Sequence, residues 1–367
     1  MRPQSYTLHF NSKLSLNAAG KHVRDGLSTV LCTGENLWLS CDERTSVERL
    51  RLTGLREYGQ HTSYQLTELL DLPADAESEI DIEGLASTDH YLWLIGSHSL
   101  KRKQPDPDHE NVAKQIAKLA KVESDPNRYL LARIPLLLNE KTGDFELHKT
   151  AAHPTKADVT LQAAQLHGDD DSNELMDLLV KDPHLKPFMA LPGKDNGFDI
   201  EGLAATPDGR LFVGLRGPVL RGWALVLELL PELDKHGRLR LGKIGGEQHY
   251  YKKHFLDLGG MGLRELRLAG DDLYLLAGPT MDLDGTIAVF CWPNALNQAE
   301  DSLIGPDKIH RYFDVPHGHG SAAGKDRAEG MAVLDGNQVL IVFDSPADAR
   351  KPAAQQVVAD SFRLPKP

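Results

Sequence analysis

Three stretches of the chain carry one pattern. Asp81-Ile82-Glu83-Gly84-Leu85-Ala86 runs into Tyr91-Leu92-Trp93-Leu94-Ile95. Asp199-Ile200-Glu201-Gly202-Leu203-Ala204 runs into Leu211-Phe212-Val213, and Ala328-Glu329-Gly330-Met331-Ala332 into Val339-Leu340-Ile341-Val342-Phe343. Each is a carboxylate, a glycine and an apolar strand, then a tight turn and a second apolar strand. A pattern that returns along a chain marks a repeat architecture, whose units bury their faces against one another.

Two further units match more loosely. Gly26-Leu27 aligns with Gly262-Leu263 without gaps, and Gly34-Glu35-Asn36-Leu37-Trp38-Leu39 aligns with Gly270-Asp271-Asp272-Leu273-Tyr274-Leu275. After each hairpin come one or two more strand-like runs. In the first unit these fall at 47–52 and 64–70, in the second at 129–134 and 145–149, and in the third at 223–229 and 251–258. The fourth unit adds 287–291 and 309–315, and the fifth only 356–362. Four antiparallel strands with short turns make one propeller blade.

The fifth unit is one strand short. Residues 5–11 alternate Tyr6, Leu8 and Phe10 with polar residues, a period-two strand with no local partner. Pairing that strand into the last unit would close the ring and cover both open edges. The expectation is all-β: a five-bladed β-propeller closed by its N-terminal strand, one domain over residues 1–367. Two insertions, 98–127 and 151–198, read as helical, at 111–120 and from a cap at Ser172. A sixth blade hidden in 151–198 is the alternative.

The chain has 41 basic and 53 acidic residues and a formal net charge of -12. This argues against nucleic acid or an anionic membrane as the main partner. The N-terminus lacks an apolar run of signal-peptide length, and no stretch approaches the roughly 18 apolar residues of a membrane helix. Cys32, Cys41 and Cys291 are sparse and odd in number. They read as structural thiols in a reducing, cytoplasmic compartment.

Antiparallel strands place the start of each first strand and the end of each second strand on one face. That upper face also receives both insertions and the loops 278–285, 315–327 and 344–354. Long loops gathered at one end of a scaffold carry function. The candidate residues there are Asp25, Glu83, Glu201 and Glu329 before first strands, with Arg264 and Glu265 beside Met261 in the fourth unit. At the ends of second strands sit Asp42-Glu43, His98, Arg216, Asp282, Asp284 and Asp344. Carboxylates converging on a channel repel unless a cation sits among them. An oxygen-only set suits Ca2+ or another hard divalent cation, so Asp25, Glu83, Glu201, Glu265, Glu329 and Asp344 are the candidate ligands. Glu83, Glu201 or Glu329 could also serve as base, and Arg216 and Arg264 could stabilise developing negative charge. His98 between Ser97 and Ser99 is a weaker catalytic candidate, since adjacent side chains on a strand point to opposite faces. His317-Gly318-His319 and Asp282-Leu283-Asp284-Gly285 read as loops rather than metal motifs.

Beyond the Glu-Gly-Leu repeats, the chain carries Gly96-Ser97-His98-Ser99, Gly214-Leu215-Arg216-Gly217-Pro218, Ala277-Gly278-Pro279-Thr280 and Phe343-Asp344-Ser345. With these it resembles a bacterial conserved-domain family of unknown function, over roughly residues 20–365. That family is similar to the phytase-like, or esterase-like, propeller proteins. The resemblance implies a β-propeller, with Glu83, Glu201 and Glu329 as channel carboxylates, and raises calcium-dependent phosphoester hydrolysis as an expectation. The chain departs from an alkaline phytase in lacking its dense Asp/Lys constellation and a secretion signal, and in having Asp25 and Met261 where the repeat suggests Glu. Two functions therefore stand: a metal-dependent hydrolase of a small anionic ester, phosphoesters included, and a non-catalytic propeller that binds a ligand or protein.

Overall fold

The computed structural model describes residues 3–17, 20–42, 44–74, 78–281, 285–317, 326–335 and 337–365. Glu43, Asp282, Asp284 and His319 lie outside them. The fold is mostly β and propeller-like. Its inner strands are Leu27–Thr33, Ile82–Thr88, Asp199–Ala205, Gly262–Ala269 and Arg327–Leu334. Each lies beside the next in that order, and the last lies beside the first. Each also pairs antiparallel with the strand that follows it.

The apolar alternation of these strands is buried between neighbouring sheets rather than in one central mass. Leu203 and Leu225 pack with Trp93 and Leu131, whereas Ala204 and Phe212 pack with Leu266 and Leu275 on the other side. The remaining three clusters fill the other gaps around the ring. Each sheet is thus buried on both faces, which accounts for the near-continuous apolar runs of the inner hairpins.

The N-terminal strand Gln4–His9 pairs antiparallel with Gln356–Arg363, from Gln4 opposite Ser361 to His9 opposite Gln356. On its other side Thr7 and Leu8 pair in parallel with Glu57 and Tyr58. First and last units are therefore one continuous eight-stranded sheet. The fourth strand of the first unit is Glu57–Gln65, not 64–70; Leu66–Leu69 turns into a short helix instead. A two-residue turn at Leu55-Arg56, with Arg56 at φ 61°, brings that strand back in register with Ser46–Gly54.

The helices fall where the spacing puts them. Val112–Leu119 is capped by Asn111, whose side chain accepts from Lys114 N. Glu174–Leu179 is capped by Asn173 rather than Ser172. Residues 151–198 hold that helix, one strand of a two-stranded ribbon formed with Thr150–Ala152, and a short strand laid on Leu131–Asn139, not a further four-stranded sheet. Among the described residues no helix is long and apolar enough to cross a membrane.

Candidate functional site

A register irregularity recurs in every inner hairpin. Pairing skips one residue between Ile82 and Gly84, between Ile200 and Gly202, between Leu263 and Glu265, and between Ala328 and Gly330. In the first unit the irregularity falls between Leu27 and Val30. Such bulges re-aim a side chain that a regular strand would bury against its neighbours, and they cluster beside functional sites. The bulged residues are Glu83, Glu201, Arg264 and Glu329, with Ser28 in the equivalent place.

The bulges correct the alignment made from sequence. Gly26 and Gly262 do not match Gly84; they stand two residues before the bulge, level with Asp81 and Asp199. Asp25 is therefore displaced from the ring. Its carboxylate lies 3.6 Å from Arg24 and 3.8 Å from Lys351, outside the cavity described below. Glu265 occupies the glycine position and points into the closed channel, where it is fully buried.

That glycine position is where inner strands touch. A Cβ on Gly84 would lie 2.6 Å from Leu203 Cβ and 2.9 Å from Leu203 N, and Gly330 is equally confined by Thr29 and Val30. The two units without glycine there supply Thr29 and Glu265, and Thr29 Oγ1 donates to Glu265 Oε2. Arg267 completes the plug. Its guanidinium donates to both Glu265 oxygens, to Thr29, and to the carbonyls of Val30, Leu85, Leu203 and Leu266. Burial pushes the Glu265 carboxyl up to about 8 against the pull of Arg267. This pair is an axial tie, and Glu265 stands apart from any site at the mouth.

Above the plug a cavity of about 460 Å³ opens on the upper face. Its floor holds Glu83, Glu201, Arg264 and Glu329 from the bulges, and Asp42, Arg216 and Asp344 from the ends of second strands. Asp81 and Asp199, two residues before Glu83 and Glu201, join them. Arg216 forks between Asp199 and Glu201. Arg264 Nη1 donates to Glu329 Oε1 at 2.7 Å, and Arg128 Nη1 to Asp81 Oδ2 at 2.9 Å. Arg327, two residues before Glu329 and opposite Asp344, joins them, so seven carboxylates face four guanidiniums on this floor. Asp42 stands at the centre of the imbalance. With Glu329 and Asp344 it offers oxygens that all lie within 4.8 Å of one another, and it does so again with Asp81 and Glu83. Its buried Oδ1 and the buried Oε2 of Glu201 accept no hydrogen bond.

Crowding and burial act on these acids in one direction. Burial, then Glu329, Asp344 and Asp81, holds Asp42 well above the usual carboxylate range, with Lys194 opposing. Burial and the neighbouring Asp81, Asp42, Glu201 and Glu329 do the same to Glu83. Burial raises Glu201 to about 8 although Arg216 and Arg264 pull it down, and burial with Glu329 raises Asp344 to about 6. Without a cation among them, Asp42, Glu83, Glu201 and Asp344 give up their protons less readily than free carboxylates.

Of the residues singled out from sequence, Glu83, Glu201, Glu329, Asp344, Arg216 and Arg264 are brought together here; Asp25, Glu265 and His98 are not. His98 is 1 % exposed. Its Nδ1 lies 2.8 Å from Gly96 O, and its Nε2 accepts from Asn173 Nδ2 at 2.8 Å. Burial lowers its pKa to about 4, so the ring is neutral, and it fastens the cap of Glu174–Leu179 to the second sheet. Asp81 and Asp199 were within reach of sequence reasoning, through the Asp-Ile-Glu triplet they share. Lys194 comes from the second insertion and Arg128 from the turn Pro126–Tyr129 that closes the first, and neither repeats elsewhere.

The chain is similar in structure to glutaminyl cyclase from Myxococcus xanthus, at 9% identity and a TM-score of 0.42, covering 99% of this chain and 96% of that one. It is similar to PQQ-bound aldose sugar dehydrogenase from Streptomyces coelicolor (12%, TM-score 0.34, 98% and 100% covered). It is likewise similar to Pseudomonas fluorescens PhoX in complex with vanadate (11%, TM-score 0.35, 98% and 75% covered). At these values none of the three carries an argument about chemistry here. No curated protein matches the chain. One family model does, over residues 26–360, and the chain belongs to that family, described as protein of unknown function (DUF3616).

Proposed function

We propose that the upper mouth is a divalent-cation site that hydrolyses a small anionic ester, phosphoesters included. The observation that carries this is the surplus of carboxylates over guanidiniums on the cavity floor, with buried oxygens of Asp42 and Glu201 left without a donor. The donors fit a hard cation: all are oxygens, and a spread within 4.8 Å suits ligand distances of about 2.3–2.6 Å. Asp42, Glu329 and Asp344 would hold it, or Asp42, Asp81 and Glu83. When bound, such a cation supplies Lewis acidity and acidifies a water.

The chain's own residues supply the rest. Arg216 and Arg264 carry charge that cannot be titrated away, and they face the place where an anionic group would lie. Glu201, whose pKa burial raises to about 8 and whose Oε2 is open, is the group to hand a proton to the leaving oxygen. Ser99 is the one Ser or Thr hydroxyl in the described lining. Arg128 and Ser97 hold it at 3.1 Å each, so water is the better nucleophile.

The engaged Ser99 also favours a second reading, a propeller that binds its anionic ligand without turning it over. A panel of phosphoesters and carboxylesters with Ca2+, Mg2+ and Mn2+ separates the two. Hydrolysis that needs a cation and is lost in Glu201→Gln is expected. Cation binding without turnover of any ester would leave the binding reading in place.

Two further readings belong here. We read the five hairpin groups as the blades of a five-bladed propeller, supported by the shared bulge and the closed order of inner strands. The sparse cysteines, two of the three buried in the core, support a reducing, intracellular compartment.

A further inference from the structure

Val112, Ile116 and Leu119 share one side of the Val112–Leu119 helix, at i, i+4 and i+7, and are 62%, 63% and 45% exposed. Lys114, Lys118 and Lys121 stand on the other side. The apolar side is not turned outward for want of anchoring. Gln115 is 5% exposed, and its Oε1 accepts from Asp106 N at 2.9 Å. Arg102 holds the helix C-terminus through Leu119 O. The helix is fastened by its polar groups, and the stripe is left open to water. Exposed contiguous apolar surface rimmed by charge marks a contact surface.

The stripe leads into the cavity. Leu119 belongs to both, and Leu100, Pro105, Pro192 and Met281 continue an apolar wall above the charged floor. Lys101, Arg102 and Lys194 line the same cavity, Lys101 beside Glu79 and Arg102 beside Asp195, and add the positive charge that an anion entering from solvent meets. Volume agrees: about 460 Å³ is within the range of about 300–1,000 Å³ that takes a drug-sized ligand.

From this continuity we infer that the ligand of the mouth is an amphiphilic anion. Its charged group lies on the floor with Arg216 and Arg264, and its apolar arm runs outward over Leu100, Leu119 and Met281. The inference rests on the anionic-site reading above and adds the class of substrate. The arm confers affinity and selectivity for longer esters, while the floor recognises only the charged end.

The test is calorimetric titration of methyl, butyl and hexyl phosphate, with hexanol as the neutral control, each in the presence of Ca2+, Mg2+ or Mn2+. A methylene half covered by the wall is worth about twofold in affinity, so hexyl phosphate should bind about 30-fold more tightly than methyl phosphate. In the double variant Leu119→Ser/Met281→Ser, with its melting temperature measured to show that it folds, that ratio should fall to within about threefold of unity. Equal binding of methyl and hexyl phosphate overturns the inference and leaves the anionic site standing. Failure of every phosphate to bind with any of the three cations overturns the site reading, and the inference with it. Hexanol binding as tightly as hexyl phosphate overturns it too, because the arm would then be independent of the floor. So does sedimentation of the protein with phosphatidylglycerol vesicles that the double variant loses, which would make the stripe a membrane contact.

Discussion

Arg267→Met tests whether the axial plug ties the ring together. The substitution keeps an unbranched side chain and removes the guanidinium's hydrogen bonds to Glu265, Thr29 and four inner-strand carbonyls. Glu265, fully buried, is left with Thr29 and the Leu266 backbone N–H as its donors, and with no positive charge beside it. Breaking a buried ion pair from one side costs about 3–5 kcal/mol, because the orphaned charge stays in a low dielectric. With unfolding entropy of about 2.1 cal/mol/K per residue, a loss of about 4 kcal/mol lowers the melting temperature of a chain this size by roughly 5 °C. The loss also has a pH signature. Glu265 is raised in the folded state from 4.5 to about 8, mainly by burial, and removing Arg267 raises it further. A raised carboxyl favours the folded state while protonated, and that advantage disappears as pH climbs from the unfolded value through the folded one. The destabilisation should therefore be smaller at pH 5 than at pH 9. Urea unfolding at both pH values measures it. Glu265→Gln in the same chain should recover part of the loss, since no charge is then stranded. A variant within about 1 kcal/mol of the parent, or a loss identical at the two pH values, would show that the plug is not an ion pair under load.

Three other outcomes follow from the same structure. Asp42→Asn removes the carboxylate common to both oxygen clusters and should abolish Ca2+ binding, whereas in the parent affinity should rise from pH 6 to pH 8 as fewer protons remain on the raised acids for the cation to displace into the buffer; calorimetry in buffers of different ionisation enthalpy reads both, and pH-independent binding without proton release refutes it. Gly84→Ala places a methyl group against the backbone of Leu203 and should destabilise by about 1–3 kcal/mol in equilibrium unfolding, with no change expected only if the neighbouring inner strand can move aside. Deleting residues 1–10 uncovers the edges of Glu57–Gln65 and Gln356–Arg363, so the shortened chain should self-associate in light scattering; a well-behaved monomer of unchanged stability would mean the strand is dispensable.

Much of the scaffold could be read from the sequence because repetition and period-two alternation are local signals. Tyr6, Leu8 and Phe10 had no neighbour to pair with, and the fifth unit lacked a strand, so the pairing of the chain's two ends followed. The upper-face position of Glu83, Glu201 and Glu329 followed from strand direction. The bulge did not, because an extra residue leaves no mark on an apolar pattern. The glycines of the first and fourth units therefore put Asp25 and Met261 at places in the ring that belong to Ser28 and Arg264. His98 illustrates another limit: its partners Gly96 and Asn173 are two and seventy-five residues away, and only the folded chain shows that both ring nitrogens are taken. Arg128 and Lys194 were silent for a similar reason, since insertions are placed by tertiary contacts and not by a period.

The eight-stranded sheet that joins both ends of the chain sets an order of events during synthesis. Gln4–His9 is made before either of its partners, and one of them, Gln356–Arg363, follows some 350 residues later. At roughly 5–20 residues per second that interval is about 20–70 s. Through it the strand has only the first unit to hold it, by the parallel contact with Glu57 and Tyr58 and the packing of Leu8. The acidic floor shares this timing: Asp42 and Glu83 are synthesised early, but Glu329 and Asp344 reach them only when the ring shuts. Cation capture by the Asp42, Glu329 and Asp344 oxygens is consequently an event of the completed chain, and a nascent chain stalled before residue 327 has no such site to fill.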